Sequence, residues 1–372
     1  MKIALLLLGF FLLPKISHAQ IDSIPIQYIN RTGINYRTFV ESNDKVFALN
    51  DSGNLMIWDL KNLDTLHFSS TKDGLRYTAI AQNNRHEVFV SSNGNIYKMN
   101  MSMLSDTIFY SDEYPVLDIC FNAANKLYMV VPYVVYDPIT KKHWEKFKGH
   151  AGGISYKKET YFGIYKRMYA FFTLPQNTYL DNRDRWWMWS NYGEFGTDLE
   201  IFDAKHAKII ENNFLGSFMG LLVPQSFFND DKGNTFITSG LQHFGNFGEI
   251  YKIDSRDSVT KIFDSQKYDT AKSGQVFADG LFIGPGAYNK GDGYIYISSS
   301  KGFFKTKLSP SGQLDKLTPV FAPTLAWSRE PLAIGAKMTI KQMAFTDSGK
   351  LIFLTENDGI GIYDGKKIVM LK

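Results

Sequence analysis

Leu174-Pro175-Gln176-Asn177-Thr178-Tyr179-Leu180-Asp181 and Val223-Pro224-Gln225-Ser226-Phe227-Phe228-Asn229-Asp230 align at a spacing of 49 residues. Without a gap, the same offset pairs Ser190 with Ser239, Phe195 with Phe244, Gly196 with Gly245, Glu200 with Glu249 and Ile201 with Ile250. Matches spread over 28 positions mark an internal repeat. A period near 50 residues is that of a radial or stacked repeat architecture.

Outward from this pair, the same grammar recurs: an apolar strand, a polar turn, a strand of alternating aromatic and aliphatic residues, a second turn, and an Ile/Tyr/Phe-rich strand ending in Asp. Tyr36–Glu41, Val46–Leu49, Leu55–Asp59 and Thr65–Phe68 make one copy. Others fall at Tyr77–Tyr110, Val116–Phe147, Gln176–Ile210, Gln225–Phe263, Pro285–Phe321 and Met338–Leu371. Short strands with evenly spaced turns argue for an all-β fold. The turns have the chemistry for it, since Asn50-Asp51-Ser52-Gly53, Asn93-Gly94, Asp347-Ser348-Gly349 and Asn357-Asp358-Gly359 reach positive φ at low cost. No run of 12 residues carries a helical apolar stripe. The 353 residues from Gln20 to Lys372 divide into seven units of about 50, which predicts one seven-bladed β-propeller domain over 20–372, with four antiparallel strands per blade. Met338–Leu371 already supplies four strands, so Ile24–Ile29 is expected to add an edge strand or a plug.

Asp73-Gly74-Leu75, the strand Tyr77–Ala81 and Glu87-Val88-Phe89-Val90-Ser91-Ser92-Asn93-Gly94 resemble the repeat of two-component-regulator propellers. The blades as a whole resemble WD-repeat-like, sensor-type propellers of secreted bacterial proteins. The match covers about 22 residues, with His86-Glu87 where that family prefers Gly-Asn and Phe89 where it prefers Trp. The resemblance implies a ligand-sensing extracellular propeller.

Residues 1–19 read as a secretory signal peptide: Lys2 is the positive start, Ala4 to Leu13 is an uncharged apolar run, and Ser17-His18-Ala19 offers small cleavage residues. The run is far shorter than the roughly 20 residues that span a bilayer, and no later segment comes closer. A mature periplasmic or secreted protein beginning near Gln20, with no transmembrane segment, is therefore expected. Losing Lys2 and Lys15 with the signal lowers the net charge from +4 to +2. That leaves no electrostatic footprint for nucleic acid. Hydrophobic residues make up 44% of the chain and charged ones 21%, shares that exclude a disordered chain. The one cysteine, Cys120, lies in a strand-like setting and reads as a buried, inert thiol.

Signatures with an explicit mechanism are missing: there is no phosphate-binding loop, no nucleophile elbow, no zinc helix and no paired C-x-x-C. No cofactor or metal is expected. Asn229-Asp230-Asp231-Lys232-Gly233-Asn234-Thr235-Phe236 approaches the Asp-box of sialidase-like propellers, but occurs once and reads as a hairpin turn.

Connection lengths point to a working face. In a four-stranded blade the turns joining strands one to two and three to four lie on one face of the disc, and these are short. The two-to-three turns and the links between blades lie on the other face, and hold the insertions Lys148–Thr173, Asn191–Asp198, Gly240–Phe247, Ser265–Gly284 and Ala322–Lys337. Function concentrates in variable loops on a rigid scaffold. The loops are rich in aromatics and cations, and Tyr192, Phe195, His243, Phe244, Phe247, Arg167, Trp327 and Arg329 are the candidate binding residues, for a protein or glycan partner. Gln176 and Gln225 start innermost strands, and a similar register puts Arg37, Asp118 and Gln342 near the axis, where the five would ring the channel mouth with polar groups. Trp186, Trp187 and Trp189 fall on a second strand and read as core. The function expected is a non-catalytic binding, scaffold or sensor-like propeller. The alternative is an enzyme acting on a carbohydrate or other polar ligand at the channel mouth, with His243 and Glu194 or Glu249 as acid and base.

Overall fold

The computed structural model describes residues 24–29, 34–66, 74–132, 134–145, 156–161, 164–169, 175–191, 196–210, 223–243, 245–266, 280–323 and 340–372. Four-stranded antiparallel sheets follow one another along the chain as the blades of a seven-bladed β-propeller. An outer strand β1 (Ile26–Ile29) precedes blade 1, which is β2 (Tyr36–Ser42), β3 (Lys45–Asn50), β4 (Leu55–Asp59) and β5 (Thr65–Leu66). Blade 2 is β6 (Ala79–Gln82), β7 (Val88–Ser92), β8 (Asn95–Asn100) and β9 (Ser105–Ser111). Blade 3 is β10 (Asp118–Phe121), β11 (Leu127–Val131), β12 (Val134–Tyr136) and β13 (His143–Glu145). A separate hairpin of β14 (Tyr156–Tyr161) and β15 (Ile164–Tyr169) comes before blade 4, which is β16 (Asn177–Leu180), β17 (Arg185–Asn191), β18 (Thr197–Asp203) and β19 (Lys208–Ile210). Blade 5 is β20 (Pro224–Asn229), β21 (Thr235–His243), β22 (Gly245–Ile253) and β23 (Val259–Asp264). Blade 6 is β24 (Ile283–Asn289), β25 (Tyr294–Ser299), β26 (Gly302–Thr306) and β27 (Thr318–Phe321). Blade 7 is β28 (Ile340–Phe345), β29 (Leu351–Thr355), β30 (Ile360–Tyr363) and β31 (Ile368–Leu371).

The aromatic-aliphatic second strands are buried along most of their length because each is sandwiched between two neighbouring blades, and successive side chains of a strand point to opposite faces. In β17, Trp186 and Met188 join the cluster shared with blade 3, whereas Trp187 and Trp189 join the one shared with blade 5. In β29, Ile352 and Leu354 turn to blade 1, and Leu351 and Phe353 to blade 6. Apolar clusters of this kind fill all seven blade-to-blade interfaces. The three tryptophans are core residues as expected, at most 4% exposed. Cys120 is buried in the interface between blades 3 and 4, and burial holds its thiol well above the usual range.

The 49-residue repeat is one of structural tasks as well as of residues. Asp181 Oδ1 accepts from the backbone N–H of Arg183 and Arg185 (2.9 and 3.0 Å), and Asp230 Oδ1 from those of Lys232 and Asn234 (3.0 and 2.8 Å). Each aspartate thus closes its own hairpin turn by satisfying the donors that the turn frees, which is the turn reading of the Asp-box-like segment. The blade 3 turn after β12 is built alike: Asp137, 1% exposed, accepts from Ile139 N, Thr140 N and Thr140 Oγ1, and pairs with Lys126 Nζ at 2.6 Å. Burial raises its pKa, but the bonds from Lys126 and Thr140 outweigh that and hold the carboxyl below the ordinary carboxylate value. A depressed folded pKa contributes stability that is present above the unfolded pKa of about 3.9 and lost as pH falls through the folded one. We expect Asp137→Asn to be less stable than wild type at pH 7, with the gap in urea midpoints narrowing below about pH 4; a gap independent of pH would assign the loss to shape alone.

The ring closes without sharing a blade between the two ends of the chain. All four strands of blade 7 come from 340–371, and β1 is added outside them, parallel to β31, with Ile26 opposite Ile368 and Ile29 opposite Leu371. Pro25 O accepts from Ile368 N (3.0 Å), and Ile29 O from Lys372 N (3.2 Å). Ile26 and Tyr28 pack on the cluster between blades 6 and 7, Ile29 on the one between blades 7 and 1. Of the two expected roles for Ile24–Ile29, the edge strand is the one observed.

Candidate functional site

The turns joining first to second and third to fourth strands are described throughout, and they knit the blades together on one face. Ser42 Oγ donates to His86 O (2.7 Å), Asn84 Nδ2 to Ala123 O, Asn122 Nδ2 to Ala204 O (2.9 Å), Arg183 Nη1 to Asp254 O (2.9 Å) and Lys350 Nζ to Leu60 O (2.8 Å). These bonds tie the turns of that face to the neighbouring blades. Longer connections leave from the opposite face, where the candidate site lies.

There blade 5 differs from the sequence expectation. Gly240–Phe247 was expected to be a loop, but β21 runs through to His243 and β22 starts at Gly245, so the ladder continues to the pair His243 and Gly245. Glycines that suggested a turn serve another purpose. A Cβ on Gly240 would stand 2.1 Å from Ile283 O, and one on Gly248 2.2 Å from Leu281 O. The chain entering blade 6 therefore lies directly on the extended hairpin, in a contact only glycine permits.

Beside this contact is a hollow of about 130 Å³ lined by Ser239, Leu241, Phe247, Gly248, Glu249, Asp264 and Gln266. Its walls are set by hydrogen bonds: Gly248 N donates to Ser265 Oγ (3.0 Å), Ser265 N to Gly248 O (2.9 Å), and Gln266 Nε2 to Asn246 O (2.9 Å). Phe247 stands at its edge, 48% exposed. Glu249 is not an open acid or base. Its Oε2 accepts from Tyr251 Oη (2.5 Å) and its Oε1 from Lys261 Nζ, which also lies 3.7 Å from Asp264. Burial, then the bond to Glu249, pushes the Tyr251 hydroxyl up. Burial lowers the Lys261 pKa, but the attraction of Glu249 and Asp264 outweighs it, and the amine is held above its ordinary value. The cluster is a closed charge network that shapes one wall of an otherwise apolar hollow.

Of the other candidate binding residues, Tyr192, Phe195, Phe244, Trp327 and Arg329 lie outside the described residues, as does Glu194. His243 ends β21, and Arg167 lies on β15 in register with Lys158 of β14. The five residues expected near the axis, Arg37, Asp118, Gln176, Gln225 and Gln342, are all on or beside first strands, and each has a partner in the scaffold. Gln176 Oε1 accepts from Asn191 N (3.1 Å), and Gln225 Nε2 donates to Gly240 O (2.9 Å), so the two glutamines clip repeat-equivalent points of their second strands. Arg37 donates to Tyr77 O (2.5 Å), Asp118 accepts from Thr178 Oγ1 (2.6 Å), and Gln342 bonds Thr38 and Phe39. These three tie neighbouring blades through residues on or next to their first strands. Among the described residues no group of three or more His, Cys, Asp or Glu could hold a metal ion, and no helix is long and apolar enough to cross a membrane. Sequence reading missed Leu241, Asp264 and Gln266; the signal was the Gly240 and Gly248 pair, placed symmetrically about the hairpin tip.

No protein-family profile matches the chain, and no curated protein matches its sequence. Solved structures do match its shape. Virginiamycin B lyase from Staphylococcus aureus aligns at TM-score 0.50 and 10% identity, over 90% of this chain and 95% of the lyase. The extracellular domain of a protein described as a hybrid two component system, from B. thetaiotaomicron, aligns at TM-score 0.53 and 11% identity, over 93% of this chain. This chain spans only 42% of that one. At these identities the likeness is one of fold, and it agrees with the resemblance to sensor propellers read from the sequence.

Proposed function

We propose that this is a non-catalytic extracytoplasmic propeller that binds a protein or glycan partner on its long-connection face. The observation that carries the reading is the apolar hollow beside the exposed Phe247 ring, on the face from which the long connections leave. Aromatic rings at the edge of an apolar hollow suit a hot-spot contact or a sugar face. The enzyme alternative would need an acid and a base converging on a ligand, and Glu249 has both carboxylate oxygens occupied. Export and cleavage after Ala19 belong to the same proposal.

The test is affinity purification from the native periplasm or medium, with wild type and Phe247→Ala as paired baits. The variant is expected to lose more than about 1 kcal/mol of partner affinity while its melting temperature stays near wild type. Equal recovery of the same partner by both baits would remove Phe247 from the binding surface. A mature exported protein that still carries Met1 by mass spectrometry would overturn the assignment of compartment.

A further inference from the structure

The outermost strands of the blades are sheet edges, which present unpaired backbone groups to any other strand, and proteins usually blunt them with brevity, charge, proline or cover. Here β5 has two residues, β13 and β19 three each; β23 carries Lys261 and Asp264, β27 carries Pro319, and β31 is covered by β1. The exception is β9. It is the longest of them at seven residues, Ser105-Asp106-Thr107-Ile108-Phe109-Tyr110-Ser111, and its one charged side chain, Asp106, is buried and accepts from Tyr77 Oη. Its rim is also where exposed apolar side chains gather. Among the described residues five large hydrophobics are exposed, and four of them are Met103 (73%), Ile108 (63%), Phe109 (50%) and Ile139 (73%). The first three lie on β9 or the turn before it, and Ile139 on the blade 3 turn whose Lys141 reaches Tyr110 Oη (2.8 Å).

We infer that β9 is the interface through which two copies of this chain associate, edge to edge and antiparallel about a twofold axis. Charge favours a second copy as the occupant. Lys98 pairs with Glu87 and Lys141 with Asp112 within each copy, so neither pair leaves a net charge on the edge to repel its own image. The register shift opposite Ile96 and Tyr97 makes Phe109 the bulged residue and leaves Ser105–Ile108 as the straight stretch. With Ser105 opposite Ile108 of the other copy, Met103 of each falls beside Phe109 and Tyr110 of the other, an isologous contact. One short ladder and four side chains a side are less than the roughly 800 Å² per partner of a standard interface, so the dissociation constant belongs in the micromolar range, on the order of 1–100 μM. This surface is separate from the one proposed for the partner.

Sedimentation velocity from about 1 to about 200 μM should show a reversible monomer–dimer equilibrium for wild type. Ile108→Lys should weaken it at least about tenfold with an unchanged melting temperature, while Phe247→Ala should leave it intact. Should Ile108→Lys fold poorly, Met103→Asp in the exposed turn gives the same reading. Wild type that stays monomeric at the highest concentration overturns the inference, and so do folded rim variants that dimerise like wild type.

Discussion

Replacing Trp187 by alanine is expected to lower the free energy of unfolding by about 3–5 kcal/mol, read as a shift in the urea midpoint. The side chain is completely buried between blades 4 and 5, stacked on Phe227 with centroids 4.9 Å apart and planes at 30°. Close-packed neighbours on both sides come from β strands that cannot collapse into the space, so the cavity persists and adds to the lost transfer energy. Trp187→Phe should recover much of the packing but still lack the indole N–H that donates to Asp181 Oδ2 at 2.9 Å. An alanine variant within about 1 kcal/mol of wild type would mean that the interface closes up and that the blades are less rigid than their packing suggests.

A loss of similar size, about 3–5 kcal/mol, is expected for Asp181→Ala. This carboxylate has a fully buried side chain and accepts from Arg185 Nε (2.6 Å), Trp187 Nε1 (2.9 Å) and Thr235 Oγ1 (3.2 Å), besides two turn amides. Arg185, itself only 6% exposed, continues the network to Asp257 of blade 5 at 2.6 Å. Removing the aspartate strands a buried guanidinium with one partner fewer and leaves the indole donor unpaired, and a broken buried pair costs more than the pair was worth. The double variant Asp181→Ala, Arg185→Met separates the two effects. It should be more stable than the sum of the single changes predicts, because no uncompensated charge remains. Strict additivity would show that the two residues act independently.

Most of the blade architecture was legible because a propeller writes each rule seven times. The 49-residue offset aligned Asp181 with Asp230 and Gln176 with Gln225, and in both pairs the two residues do the same job at the same point of the blade. The three tryptophans of β17 read as core because a strand flanked on both sides has no polar face to present. The β14–β15 hairpin escaped notice, since Tyr156-Lys157-Lys158-Glu159-Thr160-Tyr161 mixes charge and aromatics without an apolar face. The blade 5 extension was hidden by its glycines, which in isolation mean a turn and here mean a close crossing of backbones 33 or more residues apart in sequence. For the polar residues on or beside the first strands, the residue type was readable but the partners were not. Arg37, Asp118 and Gln342 each bond a residue of a neighbouring blade, and one strand's periodicity carries no information about the next blade's register.

The parallel pairing of β1 with β31 sets an order of events during synthesis. Ile26 and Ile368 are 342 positions apart, so β1, the first of the described strands, is made long before β31, the strand it pairs with. Until then Ile26, Tyr28 and Ile29 lack the blade 7 side chains they pack against. Docking of β1 then requires a seventh blade whose β31 has been made. A long closure of this kind is slow compared with the local hairpins that precede it, which makes the accessibility of 24–29 a direct clock for maturation of the ring.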